Sequence, residues 1–275
     1  MHALHARLPK HFVLEDRLER YRDAIEVRPR DWAGRWREAC WPLEVGEAGP
    51  AGFDRQVLDL GCGKGGYAAE LARREPMTLV VGVDSEPICI AYAAQKAVEG
   101  DLDNLVLVPA LGSQVAEVFA PGEVDRIVLN FPTPFPKKRD AWQRLTILDQ
   151  LMLYRRVLAL GGSVVLKTDS QPLFDFSLTQ FALAGYELTW QPTDARRDRP
   201  DDPMSWYEER LSEKGATVYG LEATPGPIPA RVEQMAELSL ACYLPQDLTG
   251  LAYVPHGMEG TVTNLRNWRA KNQTG

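Results

Sequence analysis

An α/β fold, with a mostly parallel sheet covered by helices on both faces, is predicted by three observations. Short β-branched and aliphatic runs alternate with helical stretches from residue 55 onward. The first run ends in a carboxylate followed by clustered glycines. The chemically able residues fall just after the carboxyl ends of the runs, where open α/β sheets bind their ligands.

The runs cover 57–60, 79–83, 105–108, 126–130 and 163–167. Each is nearly continuous in apolar residues, the mark of a strand buried on both faces. Helical stretches lie between them at 67–74, 87–98 and 145–158. The last carries Leu145, Leu148 and Met152 on one face, and Gly161-Gly162 reads as its C-cap. A helix follows over 171–184, with Phe174, Leu178 and Phe181 as its buried face and Gly185 as its stop. A strand over 186–191, a polar loop over 193–203, a short helix over 205–211 and a final strand over 217–221 complete the unit. That makes seven strands, the last two antiparallel to each other. Three regions result: an N-terminal extension with short helices over 1–54, a main domain over 55–224, and a C-terminal extension over 225–275.

In the first extension, 13–25 is too charged for more than a short, solvated helix, and Arg28-Pro29-Arg30 breaks it. Asp31 reads as the N-cap of a helix over 32–40. Trp32, Trp36 and Cys40 make one stripe there, with Arg30, Arg35 and Arg37 between them. Such a segment either docks on the core or stacks on bases beside phosphates. The stretch 46–52 reads as a loop. The last extension is expected to hold one helix over 231–243 and a tail interrupted by Gly and Pro.

The glycine cluster is Leu58-Asp59-Leu60-Gly61-Cys62-Gly63-Lys64-Gly65-Gly66. Glycines let the backbone turn sharply and let a ligand approach without a Cβ in the way. The following helix aims its free N–H groups at an anionic group. Gly61, Gly63 and Gly66 fit the dinucleotide pattern. Asp59, Gly61, Gly63 and Gly65 fit the acidic-x-G-x-G-x-G pattern of enzymes that use S-adenosylmethionine (SAM) equally well. Asp84 closes the next run, roughly 20 residues on, and suits ribose hydroxyls in either class. Asp59 tilts the balance to SAM: a carboxylate there attracts the methionine ammonium and repels a pyrophosphate. The two late antiparallel strands also suit a SAM-dependent methyltransferase sheet better than a plain dinucleotide fold.

The chain has 275 residues and a net charge of −7. That balance argues against generic nucleic-acid binding but permits a local basic mouth. Cys40, Cys62, Cys89 and Cys242 form no C-x-x-C pair, and His2, His5, His11 and His256 do not cluster, so no metal is expected. With no spanning apolar run and no signal-peptide core, the protein reads as soluble and cytoplasmic, with no membrane partner.

After the fourth run comes Asn130-Phe131-Pro132-Thr133-Pro134-Phe135-Pro136-Lys137-Lys138-Arg139. Alternate prolines can continue neither a strand nor a helix, so this is a stiff loop at the ligand end of the sheet. It offers a carboxamide, two aromatic rings and three cations, a fit for a planar base on a polyanion.

These pieces, with Gly82-Val83-Asp84, Leu166-Lys167-Thr168-Asp169, Ser205-Trp206-Tyr207-Glu208 and Lys214-Gly215, resemble the bacterial tRNA (guanine-N7)-methyltransferase family over residues 55–224. The resemblance implies a Rossmann-like class I SAM-dependent methyltransferase that acts on tRNA, with the variable loop as its target, as a monomer or homodimer. It implies that SAM is held by Asp59, Gly61, Gly63, Gly65, Asp84 and Asn130. Lys137, Asp169, Ser205, Trp206, Tyr207 and Glu208 are implied on the substrate side, and Thr133, Asn130 and Asp169 at the reacting centre. Three departures stand out. Thr133 replaces the family's acid, Phe135 replaces its tryptophan, and 105–113 carries no carboxylate near the adenine. Guanine N7 carries a lone pair and no proton, so alignment alone can supply roughly 7–11 kcal/mol of barrier reduction at best. Position 133 is therefore expected to matter little, with Asp169 supplying negative field. Lys137, Lys138, Arg139 and the Arg196, Arg197 and Arg199 set are expected on phosphates. The alternatives are methylation of an exocyclic amine and a non-catalytic SAM- or RNA-binding module; an NAD-linked dehydrogenase ranks behind them.

Overall fold

The computed structural model describes residues 12–38, 52–213, 215–249, 251 and 253–273. Seven strands form one sheet in the order β3-β2-β1-β4-β5-β7-β6. They are β1 (Arg55–Leu60), β2 (Thr78–Asp84), β3 (Leu105–Pro109), β4 (Val124–Asn130), β5 (Leu158–Thr168), β6 (Tyr186–Trp190) and β7 (Tyr219–Pro225). The first five run parallel, and β7 is antiparallel to both β5 and β6. The chain order reverses at β1, between β2 and β4, which is where a crevice opens in such sheets.

Nine α-helices are described: α1 (Leu14–Arg20), α2 (Gly66–Arg74), α3 (Pro87–Glu99), α4 (Val115–Val118), α5 (Leu148–Val157), α6 (Gln171–Leu183), α7 (Ala195–Asp198), α8 (Trp206–Glu213) and α9 (Glu259–Gln273). On one face of the sheet, Val57, Val80, Leu105 and Leu107 pack with Ala68, Leu71, Ile90 and Ala94 of α2 and α3. On the other, Leu58, Leu79, Ile127 and Val164 pack with Leu151 and Tyr154 of α5 and with Phe174 and Phe181 of α6. Consecutive strand residues thus enter opposite cores, which is why their sequences are apolar without alternation.

Several elements differ from expectation. The expected helix over 32–40 is not seen in its described part, 32–38, where 3-10 turns occupy Pro29–Trp32 and Trp36–Glu38; Cys40 lies outside the described residues. Asp31 sits inside the first turn and is not an N-cap. Trp36 is fully buried and donates its indole N–H to the Val118 carbonyl at 2.9 Å, so it serves the core. Ile25 bridges Leu107 in parallel, covering the exposed edge of β3. α5 ends at Val157, and Gly161-Gly162 falls within β5.

The expected helix over 231–243 is absent, save a 3-10 turn at Leu240–Tyr243. Docking overrides its propensity. Gln234 exchanges amide bonds with Gln180 at 2.6 and 3.1 Å, and Leu240 packs with Leu173 and Phe176 of α6. The tail read as irregular instead ends in α9, whose sequence carries too few apolar residues to announce a buried face.

Candidate active site

At the carboxyl end of β1 the chain turns through Gly61, Gly63 and Gly65, with φ of 76°, 54° and 68°. The region is left-handed and favours glycine. At Gly65 an added Cβ would stand 2.6 Å from the Ala93 Cβ, which lets α2 and α3 meet closely. At Gly63 nothing lies within 4 Å of an added Cβ, so this side of the turn is open. Beneath it Asp59 is 1% exposed, and neither carboxylate oxygen has a partner among the described residues. Burial, and then the charge of Asp84, push its carboxyl up to about 7. Asp84 is better served: its carboxylate accepts the N–H of Gly63 at 2.9 Å and that of Glu86 at 2.9 Å. Burial still holds it above the ordinary value. Asn130, at the end of β4, has a buried carboxamide whose oxygen and nitrogen both lack a partner among the described residues. Buried polar groups are rarely left unpaired, so an orphaned carboxylate and an orphaned amide by an open glycine turn invite a polar ligand. This donor set fits a ligand that brings an ammonium and hydroxyls.

The loop that follows is held from below. Phe131 and Phe135 take φ of 50° and 42°, a region bulky residues rarely adopt. Arg144 braces the loop. It is fully buried and donates to the carbonyls of Pro134 (3.0 Å), Phe135 (2.7 Å) and Leu238 (2.8 Å). Its guanidinium lies 4.4 Å from the Phe176 ring centroid, and burial lowers its pKa to about 10. Thr133, Lys137, Lys138 and Arg139 are exposed on the rim, and Trp142 stands beside them at 71% exposure.

Asp169, just beyond β5, is buried, and its Oδ2 accepts hydroxyl bonds from Tyr207 at 3.4 Å and Tyr253 at 2.5 Å. The Phe131 ring meets the Tyr207 ring edge-on at 5.3 Å, tying the loop to α8. The start of α8 also touches the glycine turn: a Cβ on Gly66 would stand 3.4 Å from the Trp206 nitrogen. Ser205 Oγ accepts the Glu208 N–H at 3.2 Å, an N-cap bond.

Asp59, the three glycines, Asp84 and Asn130 thus share one end of the sheet, and Phe131, Asp169, Ser205, Trp206 and Tyr207 adjoin it. Others are turned elsewhere. Glu208 is buried and takes a fork from Arg196 at 2.7 and 3.0 Å. Arg199 donates to Glu222 at 2.9 Å and lies over the Trp190 ring at 3.9 Å. Of the three arginines expected on phosphates, Arg196 and Arg199 are therefore occupied within the fold; Arg197 is exposed beside Asp194. Lys167 is buried against Asp202 at 2.8 Å, which clamps the same loop. Sequence reasoning missed Arg144 and Tyr253. A lone arginine after a basic run gives no sign of being buried, and Tyr253 lies outside every motif. A cavity of about 290 Å³ lies at the other end of the sheet between Arg55, Arg126, Gly162 and Glu222 and holds none of the residues named for the site. No group of three or more His, Cys, Asp or Glu side chains could hold a metal ion among the described residues. None of the described helices is long and apolar enough to cross a membrane.

A family model described as "Putative methyltransferase" matches residues 54–221. The tRNA (guanine-N(7)-)-methyltransferase of Lactococcus lactis subsp. cremoris (strain MG1363) is 35% identical over 203 residues, covering 72% of this chain and 88% of the relative. That of Geobacillus kaustophilus (strain HTA426) is also 35% identical, over 215 residues, covering 78% and 94%. The chain belongs to the tRNA (guanine-N7)-methyltransferase family. It is a SAM-dependent methyltransferase with the Rossmann-like class I fold. The solved 16S rRNA methyltransferase KamB has the same fold, with a TM-score of 0.50 at 20% identity over 64% of this chain and 89% of that one. The residues of this family member that lie beyond the matched model, 222–275, include Leu238 and Tyr253, both bonded into the site.

Proposed function

We propose that this methyltransferase transfers the methyl group of SAM to N7 of a guanosine in tRNA, with the variable loop as the target region. The observation that carries this reading is the meeting, at one end of the sheet, of an open glycine turn over an unpaired buried carboxylate with an aromatic, proline-braced loop. The names of the relatives supply the substrate class.

Asp59 would hold the ammonium of SAM, Asp84 a ribose hydroxyl, and Gly61, Gly63 and Gly65 the space for the ligand's backbone approach. Asn130 would offer its unpaired carboxamide to cofactor or base. When bound, SAM supplies an electrophilic methyl on a sulfonium. The chain's task is then alignment, because guanine N7 presents a lone pair with no proton to remove. Positive charge builds on the base as the new bond forms, and Asp169 supplies a fixed negative charge to meet it. Trp206 and Tyr207 would wall the guanosine, with Ser205 and Glu208 fixing that helix start. Thr133 would contribute at most a hydroxyl hydrogen bond. Lys137, Lys138 and Arg139 lie exposed where a phosphate backbone would pass. The protein works as a monomer or homodimer with no metal, in the cytoplasm.

The test is methyl transfer to bulk tRNA, read by mass spectrometry of the digested nucleosides. The expected product is 7-methylguanosine. A methylated exocyclic amine, or no methylated nucleoside despite SAM binding, would overturn the proposal.

A further inference from the structure

Beyond the matched region, residues 238–257 return to the site at four points. Leu238 accepts from Arg144, and the Leu240 N–H donates to the Pro136 carbonyl at 3.0 Å. Gly257, at φ 85°, packs on Pro134, where an added Cβ would stand 3.2 Å from the ring. Tyr253 donates its hydroxyl to Asp169. Leu238, Leu240 and Gly257 therefore hold the proline loop and its brace, and Tyr253 reaches the carboxylate.

Both phenol bonds to Asp169 land on Oδ2, and Oδ1 has no hydrogen-bond partner among the described residues. At 2.5 Å the Tyr253 bond has the length of a charge-assisted hydroxyl bond to a carboxylate and is the stronger of the two, while the Tyr207 hydroxyl at 3.4 Å is a weak second contact on the same oxygen, so the aim of the group rests mainly on Tyr253. Tyr207 is in turn set by the Phe131 ring. Burial, and then Asp169 itself, push both phenols above the ordinary tyrosine value, so both remain donors.

We propose that Tyr253 is a positioning residue: with Tyr207 it anchors Oδ2 of Asp169 so that Oδ1 faces the N1–H and 2-amino group of the target guanine. This rests on the guanosine-N7 reading above. In the transfer, the N7 lone pair forms the new N–C bond, the S–C bond breaks with its pair left on sulfur, and the base becomes a cation. No proton leaves. The N–H groups of that cation become stronger donors, so an anchored carboxylate opposite them favours the transition state over the ground state. An unanchored carboxylate must reorganise first.

Tyr253→Phe removes one oxygen from a half-buried side chain, and its fold is checked by thermal melting. The expected result is a fall in kcat of about tenfold, with KM for tRNA and the affinity for S-adenosylhomocysteine within about twofold of wild type. In an Asp169→Asn background the same substitution is expected to cost nothing further in single-turnover rate. An unchanged kcat, or an equal loss in the Asp169→Asn background, overturns the inference. If wild type makes no 7-methylguanosine, the functional reading fails and takes this inference with it. If wild type is active and Tyr253→Phe matches it, only the inference fails.

Discussion

Binding of SAM is expected to be linked to a proton on Asp59. This carboxyl is fully buried, with no hydrogen bond to either oxygen among the described residues, and titrates at about 7 against an ordinary 3.8. A carboxyl moved from 3.8 to about 7 favours the neutral acid in the fold by roughly 4 kcal/mol, and deep burial leaves little solvent screening to reduce it. The ammonium of SAM needs the ionised form. At about pH 6 roughly a tenth of the free protein has that form, and at about pH 8 roughly nine-tenths. Apparent affinity should then tighten about tenfold between these pH values, and binding at about pH 6 should release about 0.9 proton. Calorimetry in two buffers of different ionisation enthalpy measures both. Asp59→Asn should bind more weakly and show no such dependence. A wild-type dissociation constant that is flat from about pH 6 to about pH 8, or a dependence that survives in Asp59→Asn, refutes the reasoning.

The same group makes a stability prediction. Its folded pKa is raised, so its contribution is fully present below about pH 4 and is lost as pH rises through about 7, up to roughly 4 kcal/mol. The ligand-free protein should therefore melt lower at about pH 8 in wild type than in Asp59→Asn, by differential scanning calorimetry; equal melting temperatures would contradict this. Thr133→Asp should change kcat less than about fivefold, because N7 presents no proton and position 133 is exposed. An inert wild type made active by this substitution would show that the family's acid is required. Replacing Lys137, Lys138 and Arg139 together by alanine should raise KM for tRNA and reduce the slope of log affinity against log salt by about 2. An unaltered slope in filter binding would remove them from the RNA surface. Arg144→Met should cost about 2–4 kcal/mol in urea unfolding, since carbonyls of Pro134, Phe135 and Leu238 lose their donor. Wild-type stability in this variant would mean that the loop holds itself.

The parallel sheet and its glycine turn could be read from residues 55–191 because their signals are local. Strands buried on both faces need continuous apolar runs, and a left-handed turn at Gly61, Gly63 and Gly65 needs glycine whatever surrounds it. The placing of Asp59, Asp84 and Asn130 was legible for the same reason: each stands at or one residue before the carboxyl end of its strand, and a parallel sheet brings such ends together. The fates of single polar side chains were not legible. Arg196, Arg199 and Glu208 look like a charged surface in sequence, yet long-range partners draw them into the fold. Arg144 is buried only because the proline loop and residue 238 bring carbonyls to it from both sides. The C-terminal segment has weak preferences of its own, so packing on α6 decided its path. Local chemistry therefore set the strands and the turn, whereas contacts between distant residues decided which charges stay buried and that Tyr253 reaches Asp169. A hydrogen bond across 84 positions of chain leaves no periodic trace in either segment.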